Sequence, residues 1–129
     1  MHYLLDTVTI VRHFTDSGKI GVKARKLLNV QNADSDYFHI SVISLMEILY
    51  LSEKRRIKID LRETLDEINR SSMYSVIDLT TEIIETASTI DFYELHDRLI
   101  LATAKWLQVP IISSDVMFSD VPGIEVVWN

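Results

Sequence analysis

The sequence predicts an α/β fold in three layers, a small parallel sheet flanked by helices, and three observations lead there. Short apolar runs recur at Tyr3-Leu4-Leu5, Tyr37 to Ser41, Tyr74 to Ile77, Ile111-Ile112 and Ile124 to Trp128, all of strand length. Longer stretches with helical periodicity separate most of them, and strands alternating with helices imply parallel pairing with both faces covered. The first run closes on Asp6 and the run at Ile111-Ile112-Ser113-Ser114 closes on Asp115. Ligands bind at the carboxyl ends of the strands in such sheets, so these acids are expected to face one crevice.

The elements follow in order. Residues 2–6 read as a buried strand, and a helical stretch runs from about Val8 to Phe14. Asp16-Ser17-Gly18 breaks that pattern and Lys19 to Leu28 resumes it, after which Asn29 to Asp36 is polar and loop-like. Tyr37 to Ser41 is the second strand, and Ser41 or Ser44 can cap a helix running to about Arg56. Asp60 caps another helix to about Asn69; Tyr74 to Ile77 is the third strand, and Thr80 or Thr81 opens a helix towards Ile90. Leu95 to Leu107 is a helix with Leu95, Leu99, Ala102 and Trp106 on one apolar stripe. Pro110 then opens a strand to Ser113, and Ile124 to Trp128 is the last. No repeat, linker or low-complexity segment divides the sequence, so residues 1–129 are expected to form one domain.

Composition narrows the function classes. An apolar share of 47% and a charged share of 25% fit a globular protein long enough to bury one core without staples. The absence of cysteine removes disulfides, thiolate metal sites and cysteine nucleophiles together. No basic start leads into an apolar stretch and no run approaches bilayer length, so the expectation is a cytoplasmic protein with no membrane partner. The net charge of −6 argues against a nucleic-acid partner in sum, but positive charge is concentrated at Lys54-Arg55-Arg56 with Lys58 and at Lys23 with Arg25-Lys26. Solvated helix faces and RNA contacts account for those clusters equally well.

Two more acids matter because of their surroundings. Glu47 sits among Val42, Ile43, Leu45, Met46, Ile48 and Leu49, where a carboxylate is either costly or employed. Asp97 falls in the first turn of its helix, where the dipole favours negative charge, so simple stabilisation competes with a ligand role. Asp6 serves equally as a strand-end residue bonded to loop amides, and Asp115 as a turn acid or the cap of a short helix at Val116 to Phe118. Gathered together, the four would suit magnesium or manganese, which prefer carboxylate oxygen and water. Thr7 could bond the loop beside Asp6, and Arg98 could pair with Glu94 or a phosphate. His96 reads as a packing or hydrogen-bonding residue, and His13 and His39 have no zinc-like spacing.

The order and spacing of Tyr3-Leu4-Leu5-Asp6-Thr7, Ile40 to Ile48, Leu95 to Ala104, Val109 to Asp115 and Val126-Val127-Trp128 resemble the PIN-domain nucleases. The likeness covers nearly the whole sequence and is closest to the VapC-type toxins of toxin–antitoxin pairs. It implies a PIN-like three-layer α/β/α domain, a magnesium- or manganese-dependent endoribonuclease, and a homodimer held by a cognate antitoxin. By position, Asp6, Glu47, Asp97 and Asp115 would be the metal-site and catalytic acids. Thr7 and Ser114 would be supporting hydroxyls, Asp120 would assist or replace Asp115, and Arg98 would join Lys54, Arg55 and Arg56 in positioning phosphates. Metal-assisted hydrolysis follows from that set, with RNA as substrate and water rather than a side chain as nucleophile.

Other classes compete. A non-catalytic PIN-like module that binds RNA or regulates a partner would keep the fold without the cleavage. A receiver domain needs an acid pair near the first strand and a lysine after a late one, and no lysine follows Ser114. A haloacid dehalogenase-type phosphatase needs a second aspartate two residues after Asp6, where Val8 stands.

Overall fold

A computed structural model describes residues 1–29 and 35–129 of the chain. It contains five strands and six α-helices among those residues. These are β1 (His2–Leu5), α1 (Thr7–Thr15), α2 (Val22–Asn29), β2 (Tyr37–Ser41), α3 (Val42–Glu53), α4 (Leu61–Asn69), β3 (Tyr74–Ile77), α5 (Thr81–Ala87), α6 (Leu95–Leu107), β4 (Ile111–Ile112) and β5 (Val126–Val127). A 3-10 turn at Val116–Asp120 lies between the last two strands. The loop read at residues 29–36 falls mainly outside the described residues.

All strand pairs are parallel and the order is β3-β2-β1-β4-β5, as an α/β reading requires. The chain steps outward from β1 to β2 and β3, then returns to the other side of β1 for β4. That reversal places the topological switch between β1 and β4, where a parallel sheet opens its ligand crevice. Asp6 follows β1 and Asp115 lies just beyond β4, so both stand at that opening.

Two apolar clusters cover the two faces of the sheet. Leu4 and Ile111 face one that includes Ile83 and Ala87 of α5 and Ile100, Leu101 and Ala104 of α6. Leu5, Phe38, Ile40 and Ile112 face the other, with Ile10 of α1, Ala24 and Leu28 of α2 and Ile68 of α4. Helix α3 contributes Ile43 to the first and Ile48 to the second. The helix thereby bridges both layers and is held where its polar residues can meet the crevice.

Three expected features are corrected. Helix α3 stops at Glu53 rather than near Arg56, because Lys54 caps it and Arg55 takes a left-handed φ of 55°. Lys54, Arg55 and Arg56 consequently lie on an exposed turn, not on a helix face. Helix α5 ends at Ala87, three residues before Ile90. In α6 the apolar stripe is covered only in its middle: Leu99 and Ala102 pack into the core, whereas Leu95 is 62% and Trp106 44% exposed, and the buried arc extends over Ile100 through Ala104. That helix packs on the sheet and on α5 at once, so a wide arc is covered.

Candidate functional site

Asp6 is built into the fold from both of its oxygens. It caps α1, with the Thr9 amide donating to Oδ1 at 2.9 Å, and the Ser113 hydroxyl donates to Oδ2 at 2.5 Å. The side chain is buried, and burial pushes its pKa upward, with the charge of Asp115 adding to the effect and the hydrogen bonds opposing it. The plain reading of a strand-end acid bonded to loop amides is therefore met, and it coexists with a place at the crevice.

Ser113 ties Asp6 to Asp115. Its Oγ also accepts the Asp115 amide at 3.1 Å, and Asp115 in turn caps the 3-10 turn by accepting the Met117 amide at 2.9 Å. One hydroxyl thus sets the spacing of two acids from two strands. Glu47 is held in a similar way across helices. Thr7 Oγ1 stands 2.6 Å from Glu47 Oε1 and 2.9 Å from Ser44 Oγ, and it has one proton to give. The carboxylate is the stronger acceptor, so Thr7 donates to Glu47 and Ser44 donates to Thr7.

Asp97 is the least constrained of the four. Its backbone amide donates to Glu94 Oε2 at 2.7 Å in the cap of α6, and the residue borders the hollow that the other three acids line. Burial first, then the charges of Glu94, Glu47, Asp115 and Asp6, push its pKa up to about 6. The first-turn dipole acts in the opposite direction and is outweighed.

Asp6, Glu47, Asp97 and Asp115 all line one hollow of about 380 Å³, together with Thr7, Val8, Leu51, Ser114 and Phe118. An adjoining groove of about 390 Å³, largely apolar, shares Glu47 and Leu51 and adds Met46, Tyr50 and His96. His96 Nδ1 stands 3.9 Å from Glu47 Oε2 and 3.7 Å from Glu94 Oε1, at the boundary of the two hollows. Among the described residues, no three His, Asp or Glu side chains stand at the spacing of ligands to one ion.

Two expected helpers lie elsewhere. Asp120 lines a separate hollow with Thr89, Asp91 and Lys105, because the 3-10 turn carries the chain away from the crevice after Asp115. Arg98 neither pairs with Glu94 nor faces the crevice through its Nε, which donates to the Ala87 carbonyl at the end of α5 at 2.9 Å. Ser113 is the site residue that local pattern leaves unnoticed, while Ser44 and Glu94 bond Thr7 and cap α6 rather than serving as a helix cap and a partner of Arg98. For Ser113 the available signal was the Ser-x-Asp spacing, in which a hydroxyl bonds the amide two residues on.

The PIN domain family model matches residues 3–124. No curated protein matches the chain. Among solved structures, VapBC2 from Rickettsia felis, bound to a DNA fragment from its promoter, superposes with a TM-score of 0.77 at 20% identity, covering 100% of both chains. The DNA-bound VapBC from Salmonella typhimurium gives 0.71 at 20% identity, covering 98% of this chain and 97% of that one. Mycobacterium tuberculosis VapC20, described as a sarcin-ricin loop cleaving toxin, gives 0.63 at 17% identity, covering 92% and 93%. These likenesses are of fold, and the family match extends over most of the sequence: the chain belongs to the PIN domain family.

Proposed function

We propose that this chain is a magnesium- or manganese-dependent endoribonuclease and the toxin of a toxin–antitoxin pair, acting as a homodimer inhibited by its cognate antitoxin. The observation that carries this reading is the convergence of Asp6, Glu47, Asp97 and Asp115 on one hollow at the switch point of the sheet. Their all-oxygen donor set fits a hard divalent cation, and the upward shifts of Asp6 and Asp97 come from burial first and neighbouring acids second, a cost of holding charge there that such a cation would offset. A bound ion of that class supplies activation of water and neutralisation of charge at a phosphodiester.

The side chains have distinct tasks in this scheme. Ser113 fixes Asp6 and Asp115 relative to each other, and Thr7 fixes Glu47 from α1. Asp97 is free to turn inward from the start of α6, and closing the set onto one ion requires such side-chain rotation. Lys54, Arg55 and Arg56, about a turn beyond Leu51, are offered to the phosphates of a bound strand. The antitoxin assignment is supported by the VapBC complexes that share the fold, and the homodimer is carried over from the family resemblance.

A specific observation favours a second reading. Asp6 caps α1 and Asp115 the 3-10 turn, Glu47 is bonded to Thr7, and no three candidate ligands are assembled among the described residues, which suits a PIN-like module that binds or regulates without cutting. Purified protein incubated with total RNA decides between them. The expected result is cleavage with manganese, none with EDTA, and loss in a folded Asp97→Asn variant. Cleavage at an undiminished rate by that variant, with an unchanged circular dichroism spectrum, would remove the carboxylate site.

A further inference from the structure

A second set of metal-ligating side chains lies towards the amino ends of the strands, away from the four acids. His2 of β1 and His39 of β2 project from the same face of the sheet, since Leu4 is the register partner of His39 and side chains two apart share a face. His2 Nδ1 and His39 Nε2 share a hydrogen bond at 2.9 Å, with the two rings 8° from parallel. Both rings are held by neighbours on adjacent strands. Tyr37 stacks on His2 at 4.9 Å between centroids, and His39 Nδ1 lies 2.6 Å from Ser75 Oγ of β3.

The Ser75 contact has a chemical consequence. When His39 Nδ1 carries the proton and donates it to Ser75, the lone pair of Nε2 is directed at His2, the arrangement in which a metal-binding imidazole is oriented by an outer hydrogen bond. Two nitrogens bound to one zinc ion at about 2.0–2.1 Å in tetrahedral positions lie about 3.3 Å apart, so the ion takes the place of the shared proton when the hydrogen-bonded pair opens by a few tenths of an ångström and the His2 ring turns. We propose that His2 and His39 form a bidentate imidazole site for a borderline divalent cation of the zinc class, with water completing the coordination. Magnesium is excluded by donor type, because it takes oxygen ligands. The exposed position of His2 leaves room for water ligands and lets its ring turn onto the ion.

The site is independent of the nuclease reading, and the test keeps the two apart. Calorimetric titration of the full chain with zinc chloride is run in wild type and in an Asp6→Asn, Asp97→Asn variant that disables the acid set. One zinc per chain is expected in the acid variant, with matching shifts of the His2 and His39 ring nitrogens in 15N spectra. His2→Gln, a change at an exposed position, should abolish this binding without unfolding the protein, and magnesium chloride should leave those ring signals unmoved. Ser75→Ala should weaken it by about 10- to 100-fold, as outer-shell losses do, while Ser75→Thr restores it. Zinc that binds equally well to His2→Gln, or no zinc bound in the acid variant, would overturn the site.

Discussion

Asp97 concentrates the electrostatic problem of the crevice in one carboxyl. Its folded-state pKa of about 6 exceeds the unfolded value near 3.9, so between those values the native state holds more protons than the unfolded chain. Stability therefore falls as pH rises through that interval and remains lower above it, the reverse of an acid held by a salt bridge. For metal-free protein, Asp97→Asn is expected to raise the melting temperature at pH 7.5 and to change it much less at pH 4, as thermal denaturation at the two pH values will show. An equal gain at both would mean that the substitution acts through packing or helix propensity. Ser113 presents the converse case, a donor whose loss strands a buried acceptor. Ser113→Ala is expected to cost about 1–3 kcal/mol in urea unfolding, the usual penalty for leaving a buried polar group unpaired. The four acids could be picked out from sequence because strand ends and an apolar helix make an acid conspicuous. Ser113 was legible only in part, since its Ser-x-Asp bond to Asp115 is local whereas its bond to Asp6 joins residues 107 apart in the chain.

At the scale of elements, what sequence displays best is where a helix starts. Asp60 and Glu63 have capping-box spacing, and both reciprocal bonds form, at 2.8 Å to the Glu63 amide and 3.4 Å from the Asp60 amide. Helix α4 begins at the next residue and ends at Asn69, as expected. Asp60→Ala should cost about 1 kcal/mol, the typical loss for an N-cap, whereas Asp66→Ala on the same helix, outside the cap, should cost much less in the same denaturation series. Helix ends are set by less local causes. Helix α3 ends where Arg55 adopts positive φ, a conformation that no residue type in Lys54-Arg55-Arg56 announces. The covered face of α6 was legible only at Leu99 and Ala102, because a helix packed on two neighbours has a wider buried arc than a single stripe. Local periodicity identifies an amphipathic helix but not the number of partners it has.

On the scale of the whole molecule, the α/β class was legible in the alternation of strands and helices, whereas the order β3-β2-β1-β4-β5 is decided by crossovers that no local pattern records. That order brings acids from distant parts of the chain to one hollow, and it also settles what the net charge of −6 means for a polyanionic substrate. Four of the acids line the crevice itself, so a bound cation would cancel part of the repulsion where the phosphate must come. The positive turn at Lys54-Arg55-Arg56 follows closely on Leu51, which lines that crevice, whereas Lys23, Arg25 and Lys26 lie exposed on α2. Under the nuclease reading, the first cluster contacts the strand and the second is a solvated face. Replacing Lys54, Arg55 and Arg56 with Gln should therefore reduce the slope of log affinity against log salt by as much as about 2, from roughly 0.7 for each neutralised single-strand phosphate. The same triple change at Lys23, Arg25 and Lys26 should leave that slope nearly unchanged. Fluorescence anisotropy with a labelled single-stranded RNA, measured across a salt series with calcium in place of the activating metal, separates the two clusters. Equal slopes in all three proteins would mean that RNA approaches the crevice from another side, and the carboxylate chemistry would then be judged by cleavage alone.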